Sequence, residues 1–439
     1  MKLYNKSIFE IIYNIKYFNI DKSVKDIKDI KKLDNETFKK WQYNKKMQIA
    51  IYHYKHNNIY KKLVTKENIK KWETLPIIEK KHLQNKLIKL ISIPYTVKKL
   101  YINKTSGSSG KPFTFTKDYY TQSRVWASRK IFLEENQLSL SSKQAMFYRK
   151  SQQFPKNIKE KIKDIIMNRV RIDSTNLSEI YLEKYFLLFK KTKFEYIYGY
   201  SSAIVLFCRY LLKKNIILKD FCPTLKLVVV TAEVCTNDDK KIIEKATGVK
   251  TLNEYGSADL GMIAFECKYN HFHIVEENLY VETTNSNELL ITDLYNKSFP
   301  FVKYKLGDIA LISQETCKCG NRNKYIYNFL GRSNDTIILK NKNKIPGYSF
   351  YQKIRPILEN SNLLKEFFIK QTALDKFELD VVSERKFPNY VLEELEKTVN
   401  QYLKQKNHII INYKEQIEKP ETGKLKHFYS QLNIKDGDE

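Results

Sequence analysis

The sequence predicts an α/β protein with a large N-terminal domain and a small α+β C-terminal domain. At 439 residues, the chain is longer than a typical single domain. From Tyr95 to Val302, short β-like runs such as LKLVVVTAE alternate with helical stretches such as SSAIVLFCRYLLKK. After residue 332 the pattern changes to short strands and helices. We therefore expect a first domain at residues 1–332, with residues 1–95 mainly helical, and a second at residues 333–439.

The N-terminal segment MKLYNKSIFEIIYNIKYFNI is apolar at helical spacing. Glu10, Asn14 and Lys16 interrupt it before the apolar core of a signal peptide is complete. No apolar run approaches the length of a transmembrane helix. We expect a cytoplasmic protein, and the amphipathic pattern leaves peripheral membrane contact through this helix open.

The chain carries a large excess of positive charge. Lysine and arginine number 78 against 49 aspartate and glutamate, which gives a net charge of +29. Only ten of the basic residues are arginine, the side chain that reads bases and forks onto phosphates, and the lysines are scattered. The charge therefore predicts a solvated lysine coat, and we expect no specific nucleic-acid partner.

The segment KTSGSSGKPF, at 104–113, concentrates two of only 12 glycines. It is not a P-loop, because Thr105 stands where glycine is required and Pro112 follows Lys111. It is not a dinucleotide fingerprint either, because the strand-like run FTFTK follows where a helix is needed. The loop should join a strand near KKLYIN to a strand at FTFTK. Phosphate binding by its amides and hydroxyls, and an ordinary Ser/Gly hairpin turn, both remain open at this point.

Four more patches follow the glycine-rich loop along the chain: EYGSADLG at 254–261, KYKLGDIA at 303–310, FLGRSNDTI at 329–337 and ETGKLKHF at 421–428. Each patch is weak evidence alone. In this order and at these separations, they resemble the adenylate-forming ligases, in the branch of phenylacetate–coenzyme A ligase and the CapK-type capsular polysaccharide proteins. The resemblance extends from about residue 60 to the C-terminus.

The resemblance implies a reaction and a fold. A small-molecule carboxylic acid attacks ATP to give an acyl-adenylate and pyrophosphate, and the acyl group then passes to a nucleophile, commonly a thiol. The fold would be a large multi-sheet N-terminal adenylation domain with a small mobile C-terminal domain. In the family the small domain pivots just after the Gly-Arg pair, which places the hinge near Asn334.

The resemblance also implies residue roles. The phosphates would be cradled by Thr105, Ser106, Gly107, Ser108, Ser109 and Gly110, with Lys111 adding charge. Tyr255, beside Gly256, would stack on adenine, and Asp259 would be the Mg²⁺-associated carboxylate. Asp308 would accept from the ribose hydroxyls, Arg332 would contact the nucleotide, and Lys424 would bridge the attacking carboxylate and the α-phosphate.

The chain departs from the family pattern at two places. Asp259 stands where relatives have glutamate, so its carboxylate is one methylene shorter. Thr231-Ala232-Glu233 replaces a Gly-Gly-Glu turn, which predicts a differently shaped wall for the acid-binding pocket. Tyr198, Tyr200 and Ser201 lie in the segment that lines this pocket in relatives, although an aromatic-rich segment in a chain with 31 tyrosines also suits a plain core.

A metal site is predicted from cysteine and histidine spacing. The run CKYNHFH, at 267–273, is followed some 40 residues later by Cys317-Lys-Cys319. Three thiolates and one imidazole match the ligand set of structural zinc sites, with buried free thiols as the alternative. By the resemblance, His273 is a better match than His271. The predicted ligands of a structural Zn²⁺ are Cys267, His273, Cys317 and Cys319.

The acyl acceptor cannot be read from these motifs. Coenzyme A or the thiol of a carrier protein would give a thioester, and an amine would give an amide, in surface polysaccharide or related biosynthesis. A non-catalytic binding protein that retains the fold is a third possibility, for which the shortened Asp259 is the best support. Retention of Asp308 and Lys424 argues against that third reading.

Overall fold

The computed structural model describes residues 7–16, 18–84, 87–105, 113–150, 155–333, 335–361, 363–415, 417 and 428–432. Several residues with predicted functional roles lie outside this part of the chain: Ser106, Gly107, Ser108, Ser109, Gly110, Lys111, Asn334 and Lys424. Among the described residues, no helix is long and apolar enough to cross a membrane.

The helices of the described chain are α1 (Ile8–Lys16), α2 (Ile20–Lys31), α3 (Asn35–His56), α4 (Asn58–Leu63), α5 (Leu87–Leu90), α6 (Tyr119–Glu135), α7 (Lys156–Ile166), α8 (Glu179–Lys191), α9 (Ser201–Lys213), α10 (Leu218–Phe221), α11 (Asn237–Thr247), α12 (Gly347–Glu359) and α13 (Asn389–Leu403). Short 3-10 turns lie at Asn68–Lys70, Trp72–Thr74, Lys80–Leu83 and Val97–Lys99.

The strands are β1 (Tyr101–Lys104), β2 (Thr114–Lys117), β3 (Gln144–Tyr148), β4 (Arg169–Asp173), β5 (Tyr196–Tyr200), β6 (Leu227–Thr231), β7 (Lys250–Ser257), β8 (Gly261–Glu266), β9 (Phe272–Ile274), β10 (Leu279–Thr283), β11 (Glu288–Asp293), β12 (Tyr304–Ser313), β13 (Tyr325–Arg332), β14 (Thr336–Ile338), β15 (Lys344–Pro346), β16 (Leu364–Ala373), β17 (Lys376–Ser383), β18 (His408–Tyr413) and β19 (Phe428–Ser430).

The main sheet has the strand order β10-β11-β12-β13-β9-β8-β7-β6-β5-β3-β4. The strands from β4 to β7 pair in parallel, and helices connect them. Beyond β7, the pairs that β8 makes with β7 and β9 are antiparallel. Parallel strands joined by crossover helices define the α/β class, so the predicted fold class is confirmed.

Strand β6 shows how the sequence fills both faces of this sheet. All five residues of LVVVT are buried. Val228 and Val230 belong to the core cluster that also contains residues of α8, α9 and α11. Leu227 and Val229 belong to the cluster that contains residues of α2 and α6. Because successive strand residues point to opposite faces, one continuous apolar run supplies two cores.

Helix α6 starts directly after β2, and a side-chain cap fixes where it begins. The carboxylate of Asp118 accepts from the amide of Thr121 at 2.9 Å, which satisfies a free N–H of the first turn. The same carboxylate accepts from the amide of Lys297 at 3.1 Å. The end of β2, the start of α6 and the loop after β11 are therefore held together.

The chain forms two compact units. The first comprises Met1–Glu282, Leu290–Lys305 and Ile312–Tyr327, and the second comprises Thr283–Leu289, Leu306–Leu311 and Asn328–Glu439. The second unit contains a four-stranded sheet in the order β18-β17-β16-β19. Its core cluster includes buried residues of α12 and α13. The domain limits at residues 332 and 333, and the mobility of the second domain, stay predictions.

Candidate functional site

The glycine-rich segment connects two antiparallel strands. β1 pairs with β2 from Tyr101 opposite Lys117 to Lys104 opposite Thr114. The Thr105 amide donates to the Phe113 carbonyl at 3.0 Å, and the Phe113 amide donates to Thr105 Oγ1 at 3.0 Å. Thr105 therefore closes the hairpin at the point where the loop begins. The predicted strand-loop-strand arrangement is confirmed, while the loop itself lies outside the described residues.

The segment from Tyr255 to Asp259 ends β7 and turns into β8. A Cβ at Gly256 would lie 2.5 Å from the carbonyl oxygen of Gly261, so only glycine permits this approach of the two strands. The ring of Tyr255 is half-buried, and Asp259 is 4 % exposed. One tight turn thus fixes an aromatic ring and a carboxylate. The nucleotide and Mg²⁺ roles of Tyr255, Gly256 and Asp259 stay predictions.

A buried lysine, which the sequence did not predict, lies beside this turn. Lys117 ends β2 and is 1 % exposed. Its Nζ lies 3.2 Å from where a Cβ would stand on Gly261, which has a φ of +84°. Burial lowers the pKa of Lys117, and the negative charges of Asp293 and Asp259 oppose that shift. Electrostatic attraction between Lys117 and Asp259 therefore links the hairpin that carries the glycine-rich loop to the predicted Mg²⁺ carboxylate.

Asp293, at the end of β11, is the second carboxylate near Lys117. It is 4 % exposed, and its Oδ1 accepts from the amides of Tyr295 and Asn296, each at 3.1 Å. Burial raises the pKa of Asp293 to about 6, although the Lys117 ammonium and these two amides oppose the shift. Its ionisation near neutral pH depends on its cationic neighbour.

Asp308 and Arg332 form an ion pair within the second unit. The Arg332 Nε donates to Asp308 Oδ1 at 3.1 Å, and the two side chains are 46 % and 16 % exposed. The amide of Ser333 donates to the carbonyl of Gly307 at 2.9 Å, which joins the two backbone segments. An exposed pair contributes at most about 1 kcal/mol to stability, so stability alone gives little reason for its arrangement. The structure brings these two predicted residues together, and their nucleotide role stays a prediction.

Tyr198 belongs to a buried polar cluster with Glu254 and Arg129. The Tyr198 hydroxyl donates to Glu254 Oε1 at 2.9 Å, and Arg129 lies 3.8 Å from Glu254. The Arg129 guanidinium also lies 4.3 Å from the centre of the Tyr198 ring. Burial, with the Glu254 charge, raises the pKa of Tyr198 to about 12. Arg129 is a residue that sequence reasoning missed, because only the packing of α6 on the sheet places it here.

A cavity of about 170 Å³ opens beside this cluster. Its lining is rich in aromatic side chains and contains two arginines: Phe9, Trp126, Arg129, Leu140, Gln144, Met146, Tyr148, Met167, Arg169, Tyr196 and Tyr198. Of the three residues expected to line the acid pocket, only Tyr198 contributes to it. Tyr200 stacks on Tyr148 at 4.2 Å, and Ser201 is buried.

The turn after β6 carries the predicted departure from the Gly-Gly-Glu pattern. Ala232 has a φ of +67°, the left-handed conformation that favours glycine. Glu233 Oε2 accepts from the amide of Ser202 at 2.9 Å, in the first turn of α9. Thr231 Oγ1 donates to the carbonyl of Glu254 at 3.1 Å. The turn is thus tied both to the helix that follows β5 and to strand β7.

The four predicted metal ligands lie together in the first unit. The ligand atoms of Cys267, His273, Cys317 and Cys319 all lie within 4.8 Å of one another. The Sγ atoms of Cys267 and Cys317 are 3.8 Å apart, and Cys319 Sγ is 3.1 Å from His273 Nε2. A tetrahedral site with Zn–S bonds of about 2.3 Å requires sulfur atoms about 3.8 Å apart. The donor set and its spacing therefore fit Zn²⁺.

One residue next to the metal-ligand cluster orients His273, and a second histidine lies beside the cluster. His273 Nδ1 lies 3.2 Å from the carbonyl oxygen of Asn323, which can only accept, so Nδ1 carries the proton and Nε2 faces the thiols. His271 stacks on Tyr325 at 4.2 Å, and its Nδ1 lies 3.2 Å from Cys317 Sγ. His271 is therefore adjacent to the cluster, whereas His273 completes the set of four.

Comparisons with known proteins agree with this picture. No family model matches the chain. Protein CapK of Staphylococcus aureus is 24 % identical over 372 residues, which cover 81 % of this chain and 79 % of that protein. Phenylacetate–coenzyme A ligase of Thermus thermophilus is 26 % identical over 28 % of this chain and 31 % of its own length. Indoleacetate–lysine synthetase of Pseudomonas savastanoi is 31 % identical over 24 % of this chain and 28 % of its own length.

Solved structures share the fold. A 2-hydroxyisobutyryl-CoA ligase in the postadenylation state aligns over 92 % of both chains, with a TM-score of 0.70 and 15 % identity. ATP-bound MatB of Rhodopseudomonas palustris aligns over 76 % of this chain and 68 % of its own, with a TM-score of 0.52 and 13 % identity. By sequence and fold the chain is similar to the adenylate-forming ligases of the CapK and phenylacetate–coenzyme A ligase type, which confirms the predicted resemblance and supports an enzyme of that class.

Proposed function

We propose that this chain activates a small-molecule carboxylic acid with ATP and transfers the acyl group from the adenylate to a thiol such as coenzyme A. The observation that supports this most strongly is the placement of the predicted nucleotide residues on a shared ligase fold. Thr105 closes the hairpin below the loop, Tyr255 and Asp259 share one turn, and Asp308 pairs with Arg332.

The residue roles follow from that proposal. The loop from Thr105 to Gly110, with Lys111, holds the phosphates, and Tyr255, beside Gly256, stacks on the adenine. Mg²⁺ prefers oxygen ligands, which Asp259 offers, and it would neutralise phosphate charge. Asp308 accepts from the ribose hydroxyls, Arg332 contacts the nucleotide, and Lys424 bridges the attacking carboxylate and the α-phosphate.

We propose the cavity beside Tyr198 as the pocket for the side chain of the acid. Its volume, about 170 Å³, is similar to that of an engineered cavity known to hold benzene. Aromatic walls favour a compact aromatic or aliphatic group, and Arg129 and Gln144 offer hydrogen bonds at the wall. Small aromatic and branched aliphatic acids are therefore the first substrates to test.

A second candidate has an amine as the acceptor. Its support is the local similarity to indoleacetate–lysine synthetase, which is the most identical of the three relatives. The acyl-adenylate would then give an amide, and the resemblance to the CapK-type capsular polysaccharide proteins suggests a product of surface polysaccharide or related biosynthesis. A carrier-protein thiol and a cytoplasmic location stay predictions.

ATP–pyrophosphate exchange across a panel of carboxylic acids tests the first half-reaction. Coenzyme A and amines are then added to the acid that gives exchange, and the product is identified by mass spectrometry. A thioester supports the main proposal, and an amide supports the second candidate. If no acid in a broad panel gives exchange or AMP, the result favours a binding protein that retains the fold.

We further propose that the Cys₃His cluster holds a structural zinc ion, because four protein ligands leave no open position. The ligands are Cys267, His273, Cys317 and Cys319. Elemental analysis should find about one zinc per chain. Cys319→Ser and His273→Ala should lose the metal and lower the melting temperature, while His271→Ala should retain the metal. A zinc-free protein of equal stability would refute the site.

A further inference from the structure

Helix α7 presents an apolar face to solvent. Ile158, Ile162 and Ile165 are spaced i, i+4 and i+7, so they lie on one face of the helix. Their exposed fractions are 45 %, 52 % and 76 %. The helix joins β3 to β4, and β4 is the last strand at one edge of the main sheet. The isoleucine face therefore lies at a border of the first unit.

The opposite face of α7 attaches the helix to the sheet through ion pairs. Asp164 pairs with Arg169 at 2.5 Å and with Arg171 at 3.1 Å, and Glu160 lies 3.9 Å from Arg171. These four side chains are each at most 25 % exposed. A surface helix of a globular protein normally turns its apolar face to the core and its charges to water. Helix α7 does the reverse, which points to a binding role for the isoleucines.

Helix α1 repeats the pattern beside it. Ile8, Ile12 and Ile15 have the same i, i+4, i+7 spacing, with exposed fractions of 63 %, 43 % and 82 %. Phe9 of α1 and Met167, which follows the last residue of α7, line the same cavity. The two helices are therefore neighbours.

The charges beside the isoleucines indicate which kind of partner binds this apolar face. Lys159, Lys161 and Lys163 of α7 are exposed, and at 100° per residue Lys159 and Lys161 flank the isoleucine face on its two sides. A second copy of the chain would bring these lysines against like charges. An anionic bilayer instead offers phosphates to the lysines and an acyl boundary to the isoleucines.

We propose that α7 and α1 together form a peripheral binding surface for anionic membranes. The isoleucines enter the boundary between headgroups and acyl chains, and the lysines lie at the phosphates. The sequence left membrane contact open for the N-terminal helix alone, and the structure adds α7. The proposal is independent of the ligase reaction, because none of these residues has a role in it.

Flotation with lipid vesicles tests the surface. The full chain should bind vesicles of phosphatidylcholine mixed with phosphatidylglycerol, and bind pure phosphatidylcholine much less. Ile162→Gln/Ile165→Gln should lower the partition coefficient about tenfold or more. Ile180→Gln on α8 is the matched control, since that isoleucine is 69 % exposed elsewhere, and it should bind as the wild type does. Lys159→Gln/Lys161→Gln should weaken binding less at high salt than at low salt.

The outcomes separate the alternatives. Unchanged vesicle binding by the double isoleucine variant, or no preference for anionic vesicles, would overturn the proposal. A dimer in solution that the double variant dissociates, without vesicle binding, would show that a second copy covers α7. Thermal unfolding checks that each variant is folded, and ATP–pyrophosphate exchange in solution should match the wild type.

Discussion

His53 of α3 provides a pH-dependent test of the packing behind the glycine hairpin. Its ring is fully buried, with Nδ1 3.0 Å from Ser92 Oγ and Nε2 2.9 Å from the carbonyl oxygen of Asn296. Because a carbonyl only accepts, Nε2 donates to it, and Nδ1 accepts from the serine hydroxyl. Asn296 in turn donates through Nδ2 to the carbonyl of Thr116 in β2 at 2.9 Å. A neutral His53 therefore supports the hairpin strand through the loop after β11.

Burial lowers the pKa of His53 from 6.5 to about 3, although the hydrogen bond to Asn296 opposes this shift. Below about pH 6.5, His53 therefore binds a proton in the unfolded chain, whereas in the folded chain it stays neutral until the pH approaches 3. The stabilisation that the neutral, buried His53 contributes is fully present above pH 6.5, and it is lost as the pH falls from 6.5 towards 3. At pH 5 the loss is about 1.5 pH units times 1.36 kcal/mol, or about 2 kcal/mol.

The assay is urea unfolding of the wild type and His53→Gln, near pH 7.5 and near pH 5. Glutamine can keep both hydrogen bonds but does not titrate. On acidification the wild type should lose about 2 kcal/mol more unfolding free energy than His53→Gln. His56→Gln is the control, and it should follow the wild type. If the difference between wild type and His53→Gln is the same at both pH values, the buried neutral imidazole is not the cause.

Three other variants and one control test the site. Asp308→Ala should weaken ATP binding by a few kcal/mol in calorimetry, because two charge-assisted hydrogen bonds are lost. Asp375→Ala, which breaks another ion pair of the second unit, should leave the affinity unchanged. Relative to the wild type, Lys117→Met should lower the unfolding free energy more near pH 8 than near pH 5, because Asp293 is ionised at pH 8 and would lack its cationic neighbour. Equal decreases at the two pH values would contradict that pairing. Lys424→Ala should slow adenylate formation about 100-fold but spare transfer from supplied acyl-adenylate, and equal losses would exclude a two-orientation mechanism.

The cysteine cluster and the hairpin were predictable because local chemistry specifies them. A C-x-C pair such as Cys317 and Cys319, with a cysteine and a histidine upstream, has few uses other than metal binding. Alternation in FTFTK indicates a strand whatever lies around it. These signals depend on residue type and spacing alone, so they need no knowledge of the tertiary structure.

Buried charge is harder to foresee. Lys117 ends an alternating strand and would be expected in water, but Asp293 and Asp259 converge on it from distant segments. Helix α7 is a similar case, since its isoleucine stripe alone would be assigned to the core. Arg169 and Arg171 on β4 instead bind its acidic face. The residues that bury Lys117 are far away in the sequence, whereas those that bury the acidic face of α7 lie on the next strand, five and seven residues after Asp164.

The turn at Ala232 shows how the chain accommodates a departure from the family pattern. An alanine in the left-handed region is disfavoured by about 1–2 kcal/mol relative to the right-handed one, yet Ala232 holds a φ of +67°. The backbone therefore adopts a conformation that glycine adopts without this cost, and Glu233 accepts from the amide of Ser202. Relative to a Gly-Gly-Glu sequence, Thr231 and Ala232 add two side chains at this turn, and Thr231 Oγ1 donates to the carbonyl of Glu254. We therefore expect any altered acid preference to arise from those two side chains and from the walls around Tyr198.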